Sequence, residues 1–413
     1  MIHQTHGTTE QGRLSVSEMR LLLLISRPAL TLAQRSLAAD LLPQVQQWPA
    51  FIDTAWRKYS LLMVYQNLAS LTDSAPPDDI LATLRSLSQR VTMEMLRRQA
   101  VFERFHAECV LPSGVDYAYF KGPALAARFY PDPTHRFYRD IDILVPHRQR
   151  IDLLRRMRDQ GCRVYRNISV SPEVTDLDSD IALADFLSVT PVPHVLTPQG
   201  LLVELHDQID HGTALFDTDA MLRDTVDVTT QKHCIRVLPD PAHIVFICYH
   251  HTRHFWSKLH WLADLDVIFN HPEFDRSAVL DHARTLKIDS TVRASLELHD
   301  LVSSAQHPSD SKGAMTPGGD MLRACIEGLA GDKEIELEMR RGWRLRALVF
   351  DWQEMPVSLL RQIWLRLRMF RPAYEDLRAV PGGQKLQGLR YIGALGVRLL
   401  RGGPRRLARA FQR

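Results

Sequence analysis

Tyr119-Phe-Lys-Gly-Pro-Ala-Leu-Ala-Ala-Arg-Phe-Tyr-Pro-Asp-Pro-Thr-His-Arg-Phe-Tyr-Arg-Asp-Ile-Asp-Ile-Leu-Val145 decides the fold. Near its start a glycine precedes a proline and a helical run. At its end two aspartates, Asp140 and Asp142, alternate with Ile141 and Ile143. Side chains alternate faces along a β-strand, so the two carboxylates project together from one face and the isoleucines from the other. Two carboxylates side by side repel. A hydrophobic strand that carries such a pair is suited to hold a divalent cation, because hard cations such as Mg2+ take oxygen ligands.

Two aspartates rarely fix two metal ions, so a third carboxylate is expected on a later strand. Gly200-Leu-Leu-Val-Glu-Leu-His206 supplies one. Glu204 shares a face with His206, opposite Val203 and Leu205. His206 reads either as a group that orients Glu204 or as a plain buried histidine. Taken singly, each acidic residue also reads as a solvent-facing group on an edge strand; the combination favours the metal reading.

The turn Lys121-Gly122-Pro123 has its own logic. Proline suits the first helical position. Glycine lets backbone approach a ligand closely, and a helix start favours phosphate. Lys121 adds a point charge. Arg136 or Arg139 could offset phosphate charge, although both also read as surface arginines.

Phe-Lys-Gly-Pro-Ala-Leu, then Tyr-Pro-Asp-Pro, then Arg-Asp-Ile-Asp-Ile-Leu-Val, then Val-Glu-Leu-His resembles the bacterial uncharacterised nucleotidyltransferase family, within the DNA polymerase β-like superfamily. By that resemblance Gly122 is the turn glycine, Asp140 and Asp142 are paired metal ligands and catalytic residues, and Glu204 is the third carboxylate. Pro123 stands where the superfamily has a second Gly or Ser, so that residue's contact to phosphate is absent. Weaker similarity around Leu21–Leu30, Lys58–Leu68, Leu238–His250 and Trp261–Asp266 extends the resemblance over most of residues 15–300.

The resemblance implies an α+β fold with a small mixed sheet of the polymerase β type flanked by N- and C-terminal helical lobes. It implies transfer of a nucleotidyl group from an NTP, ATP foremost, to a hydroxyl-bearing acceptor, with two Mg2+ ions, Mn2+ being the alternative. Lys121 and Gly122 would cradle phosphates, and Glu204 would assist deprotonation of the acceptor. Arg139, Arg253, His254 and Lys258 are the further nucleotide-binding candidates, the last three from a His-rich run at 250–264 whose helical spacing puts His250, His254 and Lys258 on one face. A solvated polar face is the plainer account of that run, and Trp256 and Trp261 read as core.

The chain has 413 residues and a net charge of +3, enough for two or three domains. Its five cysteines are scattered and lack paired spacing, which speaks against a disulfide framework or a zinc knuckle. With a polar N-terminus, this suggests a cytoplasmic protein. The expected division is a helical lobe at 1–110 with a disordered leader, a catalytic core at 111–215 closed by the Glu204 strand, a helical lobe at 216–302, a linker at 303–330 and a basic helical segment at 331–413. Ser15 and Glu18 form a capping-box pattern. Residues 167–199 resist assignment and leave room for a hairpin.

After Asp376 no acidic residue occurs, while arginines alternate with leucines to Arg413. This reads first as a helix docked by its apolar face. It also suits peripheral contact with an anionic membrane surface, or with nucleic acid. Two rival readings of the whole chain stand beside the enzyme: a non-catalytic binding or regulatory protein on the same fold, and a membrane-surface assembly factor. Acceptor identity and oligomeric state are not legible.

Overall fold

In a computed structural model the protein is described over residues 14–71, 74–166, 168, 174–175, 177–211, 214–310, 315–331, 349–369, 371–380 and 388–398. The chain forms two compact units. The first comprises residues 1–94, 250–274 and 291–338, and the second 95–249, 275–290 and 339–413.

The first unit is helical. Its opening helix, Val16–Ile25, starts with the capping box seen in the sequence: Ser15 Oγ accepts from the Glu18 N–H and Glu18 accepts from the Ser15 N–H. Leu21 to Ile25 are all fully buried or nearly so. Arg27, itself buried, pairs with Asp266 at 2.7 Å. Lys58 donates to the carbonyls of Gly328 and Gly331. Within the expected linker, Thr316 caps a helix at Pro317–Ala330.

The run at 250–264 departs from expectation. It is not one helix. The Ala242–Thr252 helix ends before Phe255 and Trp256, both at positive φ, and Lys258 is the N-cap of Leu259–Phe269. His250, His254 and Lys258 therefore do not share a helical face. Bulky residues rarely adopt positive φ, so local propensity gives no warning of this break. Trp256 is core, fully buried.

The second unit holds the sheet. Its strands are β1 (Ala118–Tyr119), β2 (Asp140–Leu144), β3 (Arg163–Tyr165), β4 (His194–Leu196), β5 (Leu202–His206), β6 (Val226–Thr229) and β7 (Cys234–Val237). They lie in the order β3-β4-β5-β2-β1-β7-β6. β2 runs parallel to β5 and β1 parallel to β7; the other neighbours are antiparallel, so the sheet is mixed. The fold is α+β. The Glu204 strand does not close the sheet: the β6–β7 hairpin adds to it beyond residue 215. The unassigned stretch contains a helix, Asp180–Val189, and β4.

Alternation along β2 and β5 sets the two faces of the sheet. Ile141, Ile143, Val203 and Leu205 are fully buried and share a core with Leu153, Leu154 and Met157 of the Arg150–Asp159 helix and with Leu183 and Phe186. The opposite face is left to Asp140, Asp142, Glu204 and His206. At the C-terminal end, residues 388–398 are helical. Ala394 is fully buried in the same core, and Arg390 reaches Asp185 at 2.9 Å. The described part is thus docked, but through Ala394 and Arg390 rather than through its larger apolar residues, since Leu389 and Ile392 are exposed; residues 399–413 lie outside the described residues. No helix among the described residues is long and apolar enough to cross a membrane.

Candidate active site

The parallel pairing of β2 with β5 puts Asp142 directly opposite Glu204, and the antiparallel pairing of β5 with β4 puts Glu204 opposite His194. Three adjacent strands thus present His194, Glu204 and Asp142 as one lateral row. Asp140 and His206 flank it on the same face. Ligand atoms of Asp142, Glu204 and His206 lie within 4.8 Å of one another, the group among the described residues able to hold a metal ion. Asp140 is not in that tight group, although its charge is felt by its neighbours.

Asp142 and Glu204 each have basic partners. Lys121 Nζ lies 2.7 Å from Asp142 Oδ1. His206 Nε2 lies 3.3 Å from the same oxygen and 3.6 Å from Glu204 Oε2. His194 Nε2 lies 3.4 Å from Glu204 Oε1. The charges sort accordingly. Burial works to raise the Asp142 carboxyl, but Lys121 and His206 outweigh it and hold the group far below the usual range. Glu204 is lowered despite its burial, chiefly by the nearby His206 imidazole. Asp140 goes the other way: burial, then the charges of Asp142 and Glu204, push it up to about 6. Burial would lower Lys121, yet Asp142 and Glu204 raise it. The His206 imidazole is likewise raised against burial by Asp142 and Glu204.

The glycine turn abuts this site. Gly122 adopts φ +40°, ψ −109° and precedes the Pro123–Phe129 helix. A Cβ there would meet the Asp140 carbonyl oxygen at 3.1 Å and the Tyr138 Cβ at 3.2 Å. Only glycine meets both demands without strain, so the turn and the aspartate strand pack as one piece. Behind the turn, the buried His243 donates from Nε2 to the Phe120 carbonyl at 2.8 Å, fixing the residue before Lys121. The Ala124 N–H is already bonded to the Lys121 carbonyl, and Pro123 has none.

The remaining sequence candidates are distributed differently. Arg139 is exposed beside Asp140, and its carbonyl accepts from Arg98. Arg136 is buried and donates to the Phe137 carbonyl, so it is no surface arginine. Arg253, His254 and Lys258 belong to the first unit, where the Lys258 ammonium lies 5.6 Å from the centre of the Tyr59 ring and His254 packs on His250. His194 was not a sequence candidate. Pro191 and Pro193 obscure its strand, and only the Val195-Leu196 run hinted at β4.

The donor set of carboxylates and imidazole suits a divalent cation: the buried Asp142 and its neighbours gather negative charge that Lys121 offsets only in part. No curated protein and no solved structure matches the chain. The family model described as uncharacterised nucleotidyltransferase matches residues 44–302. That span covers more than half of the chain and includes every residue of the row, the turn and the aspartate strand, and the protein belongs to this uncharacterised nucleotidyltransferase family.

Proposed function

We propose that the protein transfers a nucleotidyl group from an NTP, ATP foremost, to a hydroxyl-bearing acceptor. The observation that carries this reading is the register of Asp142 opposite Glu204, with Asp140 on the same face and Lys121 on Asp142. Asp140, Asp142 and Glu204 would hold Mg2+, and His206 adds a nitrogen to the same cluster. Bound divalent ions in such chemistry offset phosphate charge and activate the attacking oxygen.

The chain's own groups have separable tasks. Lys121 brings positive charge to the carboxylates and to an incoming phosphate. His194 and His206 hold Glu204 in orientation from either side. Before any cation binds, Asp140, pushed up to about 6, is the carboxylate best suited to take a hydroxyl proton, while Asp142 and Glu204 are both held low. The positive φ of Gly122, open to glycine without strain, lets the turn pack directly on the aspartate strand.

The test is incubation of purified protein with labelled NTPs, Mg2+ and cell extract. Label should enter an acceptor in the parent and fall to background in Asp142→Asn and Asp140→Asn. If both variants transfer label like the parent, the site is wrongly assigned. A non-catalytic reading has one observation in its favour: Lys121 and His206 already neutralise part of the acidic cluster. It predicts NTP binding without release of pyrophosphate.

A further inference from the structure

A second site lies in the same unit. Glu103, near the end of the Asp78–Phe105 helix, is 2 % exposed, and among the described residues neither of its carboxylate oxygens has a hydrogen-bond partner. Its side chain lines a cavity of about 250 Å³. Met95, Phe102 and Pro123 form apolar walls, and Thr229 and Thr230 of the β6–β7 hairpin bring hydroxyls. Arg98 on the same helix is engaged elsewhere: its guanidinium donates to the Arg139 carbonyl at 3.0 Å and lies over the Phe137 ring.

We propose that this cavity binds a small organic cation, an ammonium- or guanidinium-bearing molecule, with Glu103 as its counter-charge. A buried carboxylate without donors is costly, and a chain that keeps one beside an open cavity has a partner for it. The two oxygens can accept two parallel N–H bonds from a guanidinium, or pair with an ammonium as a point charge. The apolar walls suit a hydrocarbon or aromatic spacer. The cavity is smaller than the roughly 300–1,000 Å³ of drug-sized ligand sites, so it takes a fragment-sized amine rather than a nucleotide. Anions are excluded by the sign of Glu103. Pro123 is both a wall of this cavity and the first residue after Gly122, so an occupant sits on the helix that starts at the glycine turn. The inference does not depend on nucleotidyl transfer.

Calorimetric titration of the full chain, without nucleotide or metal, tests it with three probes: methylguanidinium, benzylammonium and the neutral isostere benzyl alcohol. At least one of the two cations should bind, about tenfold or more tighter than benzyl alcohol, and Glu103→Gln should weaken that binding by about tenfold or more. Equal binding of cation and alcohol, no binding of either cation at millimolar concentration, or cation binding unchanged in Glu103→Gln would overturn the proposal. If Glu103→Gln fails to fold, Ala127→Leu, which fills the cavity without touching the carboxylate, takes its place. It should abolish cation binding, and undiminished binding in that variant would overturn the proposal equally.

Discussion

Lys121 Nζ sits 2.7 Å from Asp142 Oδ1, at the strand position paired with Glu204. This lysine is the resident cation of an acidic cluster. Asp142 is 3 % exposed, so removing its partner leaves a buried charge with only His206 to offset it.

Lys121→Met should therefore destabilise the protein by about 3–5 kcal/mol in the absence of divalent ions, the scale of a broken buried pair. Millimolar Mg2+ should restore part of that loss, and should raise the melting temperature of the variant more than that of the parent, because ligand binding to the native state stabilises by mass action. Thermal melts with and without Mg2+ decide the matter. An equal Mg2+ effect on both proteins would mean that lysine and metal do not share the carboxylates.

Much of this site could be read from the chain because its logic is local. Asp140 and Asp142 are two residues apart in an apolar strand, and that spacing alone sets their face. Glu204 sits in an alternating run of the same kind. The pairing partners are not local, which is why His194 was missed: its register with Glu204 exists only once β4 and β5 are side by side. Glu103 was illegible for a related reason. In a 28-residue amphipathic helix a glutamate reads as solvent-facing, and only the fold places it against a cavity. The break at Phe255 and Trp256 has no local signal at all, since both residues are poor candidates for positive φ.

The basic C-terminal segment yields a second prediction. Arg390 and Asp185 are both nearly buried, and their pair at 2.9 Å ties residues 388–398 to the Asp180–Val189 helix. Arg398 adds a longer contact to Asp376 at 3.6 Å. Arg390→Met should cost about 3 kcal/mol because Asp185 loses its counter-charge. The double variant Arg390→Met, Asp185→Leu should lose less than the sum of the single changes, since it removes the stranded charge as well. Strict additivity in denaturant unfolding would show that the pair is not coupled.

His106 carries the prediction for pH. It is fully buried, with Nδ1 3.1 Å from the Tyr119 hydroxyl. Burial, then the nearby His233, lower its pKa from 6.5 to about 4. Between these two values the unfolded chain takes up a proton that the native state refuses. Stability from this group is therefore complete above pH 6.5 and is lost as pH falls towards 4, by about 3 kcal/mol. His106→Phe should flatten that part of the profile. At pH 7 it should cost about 1 kcal/mol, because the buried Tyr119 hydroxyl loses its partner. His211 is also lowered to about 4 by burial, so it titrates in the same window and the variant should keep a residual slope. Unfolding measured from pH 7 to pH 4 checks this: parallel profiles for parent and His106→Phe would show that His106 protonates as readily in the folded protein as in the unfolded chain.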